Sequence, residues 1–112
     1  MINVKYEVKE HTRQICLYIK GHADSGEYGK DLICSSVSIL TYTLAQNVQI
    51  KSSLLESSQI ELREGEASIC CTSQSLDGLS AVKVIFDVIV TGIGLLADDY
   101  PEYVHLDVFG EA

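Results

Sequence analysis

Ile15-Cys16-Leu17-Tyr18-Ile19-Lys20, continuing into Gly21-His22-Ala23-Asp24-Ser25-Gly26-Glu27-Tyr28-Gly29-Lys30-Asp31-Leu32-Ile33-Cys34, is the stretch on which the reading of the fold turns. Ile15, Leu17 and Ile19 alternate with their neighbours as a half-buried strand does. From about residue 32 to 50 the period changes. Ile33, Val37, Leu40, Leu44 and Val48 recur at three and four residues, which is the stripe of an amphipathic helix. A Gly-rich loop joins the two, with His22 at one end and Cys34 at the other. Asp31 stands where an N-cap would stand, which makes Cys34 the third helical residue.

Upstream, Ile2, Val4, Tyr6 and Val8 alternate with Asn3, Lys5 and Glu7. A polar turn at residues 9–12 folds this strand against the next as a hairpin. Downstream, residues 51–58 read as a Ser-rich connection, and residues 59–63 and 66–72 as two strands joined at Glu64-Gly65. Asp77-Gly78 opens a second helix running to about Asp98, with Leu79, Val82, Phe86, Ile89, Ile93 and Leu96 on its core face. Val84, Ile85, Val88, Val90 and Leu95 spread onto its other faces. A helix apolar nearly all round is either central or covered by another subunit. Pro101 stops it, and Val104, Leu106 and Val108 form a last strand. The order ββα ββα β predicts one α+β domain over residues 1–112. It is a two-layer sandwich, a mainly antiparallel sheet with two helices on one face.

Composition narrows the function classes. A net charge of −8 argues against a nucleic-acid binder and favours a basic or neutral partner. No apolar run reaches ~18 residues without a charge or a glycine, so no membrane span is expected. The nearest, residues 84–97, is interrupted by Asp87, Gly92 and Gly94. The first residues alternate like a strand and lack a signal-peptide pattern, so a cytoplasmic location is expected. In such a reducing compartment four cysteines do not imply disulfides.

A thiol near a helix N-terminus is favoured as thiolate, and a His across a flexible loop can take its proton. That is the minimum equipment of a cysteine nucleophile. Gly21, Gly26 and Gly29 give the loop backbone freedom, and Ser38 lies one turn beyond Cys34 on the same helix face. The plainer alternative is that Cys34 only extends the apolar stripe and His22 is a turn residue. Asp31 has two readings, an orienter of His22 or simply the N-cap. Cys70 and Cys71 are strand neighbours pointing to opposite faces, and no CxxC pair exists, so no metal and no cofactor are expected. Cys16 is expected to be structural, and His11 and His105 solvated. Gly21 and Gly26 have the spacing of a phosphate loop, but Glu27 follows where Lys is needed. Asp24, Glu27 and Asp31 would repel phosphate; they either attract a basic peptide or merely solvate the loop.

Gly21-His22-Ala23, Gly26-Glu27-Tyr28-Gly29 and Asp31-Leu32-Ile33-Cys34-Ser35-Ser36-Val37-Ser38 are together similar to the signature of the ribosomal-processing cysteine proteases, the Prp family. The length and element order also resemble that family, which often has Ala where this chain has Ser35 and Ser36. The resemblance implies a cytoplasmic homodimer that removes the N-terminal extension of a large-subunit ribosomal protein, ribosomal protein twenty-seven. It implies Cys34 as nucleophile and His22 as base. Asp31 and Ser38 would support them, and a mobile loop with Gly21, Gly26, Tyr28 and Gly29 would cover the substrate. Two competing readings stand beside it. One is a non-catalytic adaptor that binds a basic ribosomal protein. The other is a redox sensor using Cys34, for which no resolving cysteine lies close in sequence.

Overall fold

Alternating apolar residues build β1, Ile2–Lys9, with Ile2, Val4, Tyr6 and Val8 buried and Asn3 and Lys5 exposed. The computed structural model describes residues 1–22 and 30–110, and the backbone alone of residues 30 and 31. A 3₁₀ turn, Glu10–Thr12, and Arg13 in the left-handed region reverse the chain into β2, Gln14–Lys20. Helix α1 spans Lys30–Ile50 and ends near a second 3₁₀ turn, Ser52–Leu54. Strands β3, Leu55–Arg63, and β4, Glu66–Ser73, form the second hairpin. Helix α2, Leu76–Asp99, then carries the chain back to β5, Val104–Gly110.

The five strands lie in the order β3-β4-β2-β1-β5. Every pairing is antiparallel except β1 with β5, which α2 makes parallel by returning the chain across the sheet. Both helices bury one stripe against the same sheet face. Ile15, Leu17, Ile69 and Val4 meet Leu44, Phe86 and Ile93 there, all essentially inaccessible. This is the α+β two-layer arrangement the pattern predicts.

Several local readings shift. β3 begins at Leu55, not at residue 59. Its Ser-rich start shows no alternation because it lies at a sheet edge, with an irregularity between Leu55 and Ser57. α2 begins at Leu76, and the Ser75 hydroxyl caps it by accepting the Gly78 N–H at 3.0 Å. Val90 is buried, not outward, and Ile85 packs half-buried against the core. Val84, Val88 and Leu95 do face outward. In β5 only Val104 is buried, because the strand is an edge and Val108 is exposed. By length and composition α2 could cross a membrane, but here one side of it is packed on the sheet.

A polar tie crosses the layers. The Tyr6 hydroxyl donates to Asp87 Oδ1 at 2.8 Å, and Lys83 Nζ lies 2.8 Å from Asp87 Oδ2. The Tyr6 ring stacks on Phe86 with centroids 6.2 Å apart. Burial, then the hydrogen bond to Asp87, pushes the Tyr6 phenol well above its ordinary pKa. Tyr6→Phe leaves Asp87 paired with Lys83, so it should cost only ~1 kcal/mol. Phe86→Ala, which opens a cavity, should cost ~3–5 kcal/mol. Urea unfolding of both variants checks the order.

Candidate active site

The site starts where β2 ends. Gly21 has φ +110°, and a Cβ there would collide with the Met1 carbonyl oxygen, so only glycine fits beside the start of β1. Its N–H donates to the Gly65 carbonyl at 2.8 Å, extending the β2–β4 ladder one rung beyond Lys20 and Glu66. Gly65 closes the β3–β4 turn at φ +74°. A Cβ on Gly65 would collide with Nε2 of His22. The imidazole therefore rests against the bare backbone of the second hairpin.

Cys34 comes from α1. The helix begins at Lys30, so Asp31 lies inside the first turn and not at the cap. Cys34 is thereby its fifth residue, at the start of the second turn. It is half-buried, packed against the margin of the core. His22, Cys34 and Ser38 line one cleft of about 380 Å³. Val37, Thr41 and Tyr42 continue its α1 wall, and Ile2 and Ile19 lie at its base. Leu62, Arg63, Glu64, Glu66 and Ala67 of the second hairpin make the facing wall. Thr41 Oγ1 donates back to the Val37 carbonyl at 2.7 Å, so this hydroxyl is engaged with its own helix.

The structure thus brings Gly21, His22, Cys34 and Ser38 to one cleft. The Asp31 side chain, and Gly26, Tyr28 and Gly29, lie outside the described residues. His105 stands apart on β5, with Nε2 3.1 Å from Asp107 Oδ1. Among the described residues no three His, Cys, Asp or Glu side chains gather as a metal site. Sequence reasoning missed the hairpin wall and Gly65. The only signal was the Glu64-Gly65 turn, whose distance along the chain from His22 hid the contact.

A thiol on a helix and an imidazole at a strand end, lining one cleft at the margin of an α+β sandwich, is the layout of a thiol hydrolase. The model of the family described as cysteine protease Prp matches residues 1–105, and the chain belongs to that family. The chain is 27% identical to the ribosomal processing cysteine protease Prp of Mycoplasma genitalium over 97 residues, 87% of this chain and 91% of that protein. Among solved structures it resembles SMU.848 of Streptococcus mutans. The TM-score is 0.72 at 25% identity, covering 99% of this chain and 96% of that one. It also shares the fold of the essential ribosomal processing protease Prp of S. aureus, crystallised with a covalently linked product peptide. There the TM-score is 0.73 at 21% identity, over 96% of this chain and 99% of that one.

The Gly65 contact makes a prediction. Gly65→Ala costs ~1–2 kcal/mol for a side chain in left-handed backbone. Its methyl displaces the tip of His22, not the backbone, so the fold should survive. Misplacing a reacting group by ~1 Å can cost ~10²-fold in rate. Peptidase turnover should fall by about that factor while circular dichroism is unchanged. Unaltered turnover would show that His22 needs no seat on this turn.

Proposed function

We propose that this chain is a cysteine endopeptidase that removes the N-terminal extension of a large-subunit ribosomal protein, ribosomal protein twenty-seven. Cys34 is the nucleophile and His22 the general base. The observation that carries this reading is the shared cleft of Cys34 and His22 in a chain of the Prp family. A substrate peptide bound to the S. aureus Prp supports it by likeness of fold.

The chemistry follows from these groups. His22 takes the Cys34 proton, and the thiolate attacks the scissile carbonyl. The first turn of α1 has backbone N–H groups without helical partners, and these are the candidate oxyanion donors. His22 then protonates the leaving amine, and the acyl-enzyme forms. Water activated by His22 releases the acid and restores the thiol. Asp31, in the first turn of α1, either orients His22 or only complements the helix dipole. Ser38 lines the cleft one turn beyond the nucleophile and supports the site.

The substrate class fits the surface. The net charge of −8 favours a basic protein, and Glu64 and Glu66 stand on the cleft wall beside Arg63. Ile19, Val37 and Leu62 offer the cleft's apolar surface to hydrophobic residues at the end of the extension. The protein works in the cytoplasm, where ribosomes are assembled. It works as a homodimer, because Val84, Val88 and Leu95 form a second apolar stripe on α2, each over 60% exposed.

Two measurements test the reading. Cys34→Ala should abolish cleavage of the ribosomal-protein precursor, read by mass spectrometry, and His22→Ala should lower it ~10²–10⁴-fold with peptide binding retained. Turnover near wild type in Cys34→Ala would remove the nucleophile assignment. In sedimentation, the chain should run as a dimer at micromolar concentration and Val88→Asp as a monomer. A monomeric parent would end the dimer reading.

A further inference from the structure

The sheet face turned away from the helices holds two thiols that the cleft does not use. Cys16 on β2 and Cys70 on β4 are direct cross-strand partners. The hydrogen-bonded rungs of this ladder can be counted from its ends. Ser73 N–H donates to the Arg13 carbonyl at 2.9 Å, and Gly21 N–H to the Gly65 carbonyl at 2.8 Å. Hydrogen-bonded and non-hydrogen-bonded pairs alternate along an antiparallel ladder. Counting in from either end puts Cys16 and Cys70 on a non-hydrogen-bonded rung. Opposed Cα atoms there are ~4.5 Å apart and their side chains closest. A disulfide spans ~4.4–6.8 Å between Cα atoms, so this pair can be bridged without moving the backbone.

The surroundings divide the labour. Cys16 is 2% exposed, whereas Cys70 is partly open to solvent. The Cys70 thiol donates to the Tyr18 hydroxyl at 3.4 Å, and Tyr18 shares this face, with Lys5 Nζ 5.8 Å from its ring centroid. When Cys70 ionises, the Cys16 thiol and the Tyr18 phenol both turn their protons to it. Its pKa is pulled down to about 6, first by the Cys16 hydrogen bond. Burial opposes this, and so does Glu7, the β1 residue opposite Cys16. Cys16 is pushed up by the same contact. Cys71 lies on the helix side of β4, and burial raises it to about 12.

We propose that Cys16 and Cys70 form a modification site separate from Cys34, a dithiol that a hydroperoxide oxidises to a reversible cross-strand disulfide. The Cys70 thiolate attacks the terminal peroxide oxygen. The O–O bond breaks, the leaving oxygen takes a proton, and Cys70 becomes a sulfenic acid. The Cys16 sulfur then attacks Cys70 sulfur and expels hydroxide, which leaves as water with the Cys16 proton. With hydrogen peroxide, two thiols and one peroxide give one disulfide and two waters. The new bond ties together β2 and β4, the strands whose ends hold His22 and Gly65.

The test is hydrogen peroxide treatment of the full chain carrying Cys34→Ser, followed by non-reducing peptide mapping. The expected product has lost two hydrogens, joins the Cys16 and Cys70 peptides, and returns to the starting mass with dithiothreitol. Cys16→Ser in the same background should stop at a Cys70 sulfenic acid trapped by dimedone. Cys70→Ser should lose the two-hydrogen product altogether. Stable sulfinic acid at Cys70 with Cys16 still reduced, or a bridge between chains instead of within one, would overturn the proposal; the Cys34→Ser chain alone decides it even if a double variant fails to fold.

Discussion

The hydrogen bond from Gly21 N–H to the Gly65 carbonyl, at 2.8 Å, is the constraint on which the site depends. It is the outermost rung between β2 and β4, and both of its residues have positive φ. One glycine turns the chain out of β2 past the Met1 carbonyl, and the other leaves the space that His22 occupies. The rung therefore fixes two things at once: the direction in which His22 leaves the sheet, and the distance of the second hairpin from it. With α1 packed on the same sheet through Ile33, Val37 and Leu44, the hairpin and the helix become the walls of one cleft.

Sheet topology also separates the thiols. Cys71 points into the core, and Cys16 and Cys70 point to the opposite face, because neighbours on a strand alternate. Cys34 alone sits in the cleft. The four free cysteines thus fall into three separate surroundings: the cleft, the core and the outer sheet face. The helices cover one sheet face only, so the paired thiols on the other face remain apart from both the cleft and the outward stripe of α2.

Much of the fold was legible because it is local. Period-two alternation in Ile2 to Val8 and in Ile15 to Ile19 marks β1 and β2, and the three-four spacing from Ile33 to Val48 marks α1. The family signature in the Gly21–Cys34 stretch was equally local, and the match of the family model to residues 1–105 agrees with it. What sequence could not supply is register. The Tyr6–Asp87 tie, the His22–Gly65 contact and the Cys16–Cys70 rung each join residues far apart in the chain. Edge positions misled as well. The polar start of β3 looks like a connection, because edge strands need not bury an alternating face. The start of α1 lies two residues earlier than an Asp31 cap implies, since Asp31 is as favourable in a first helical turn as at a cap.

The central claim is that Cys34, served by His22, is the one thiol that meets a peptide carbonyl. A peptide with a hydrophobic C-terminal residue, carrying a chloromethyl ketone in place of its scissile bond, tests it directly. Peptide mapping of the wild-type chain should find a single label, on Cys34, and little label when His22 is replaced by Ala. Labelling of Cys70 or Cys16 with Cys34 untouched would contradict the account.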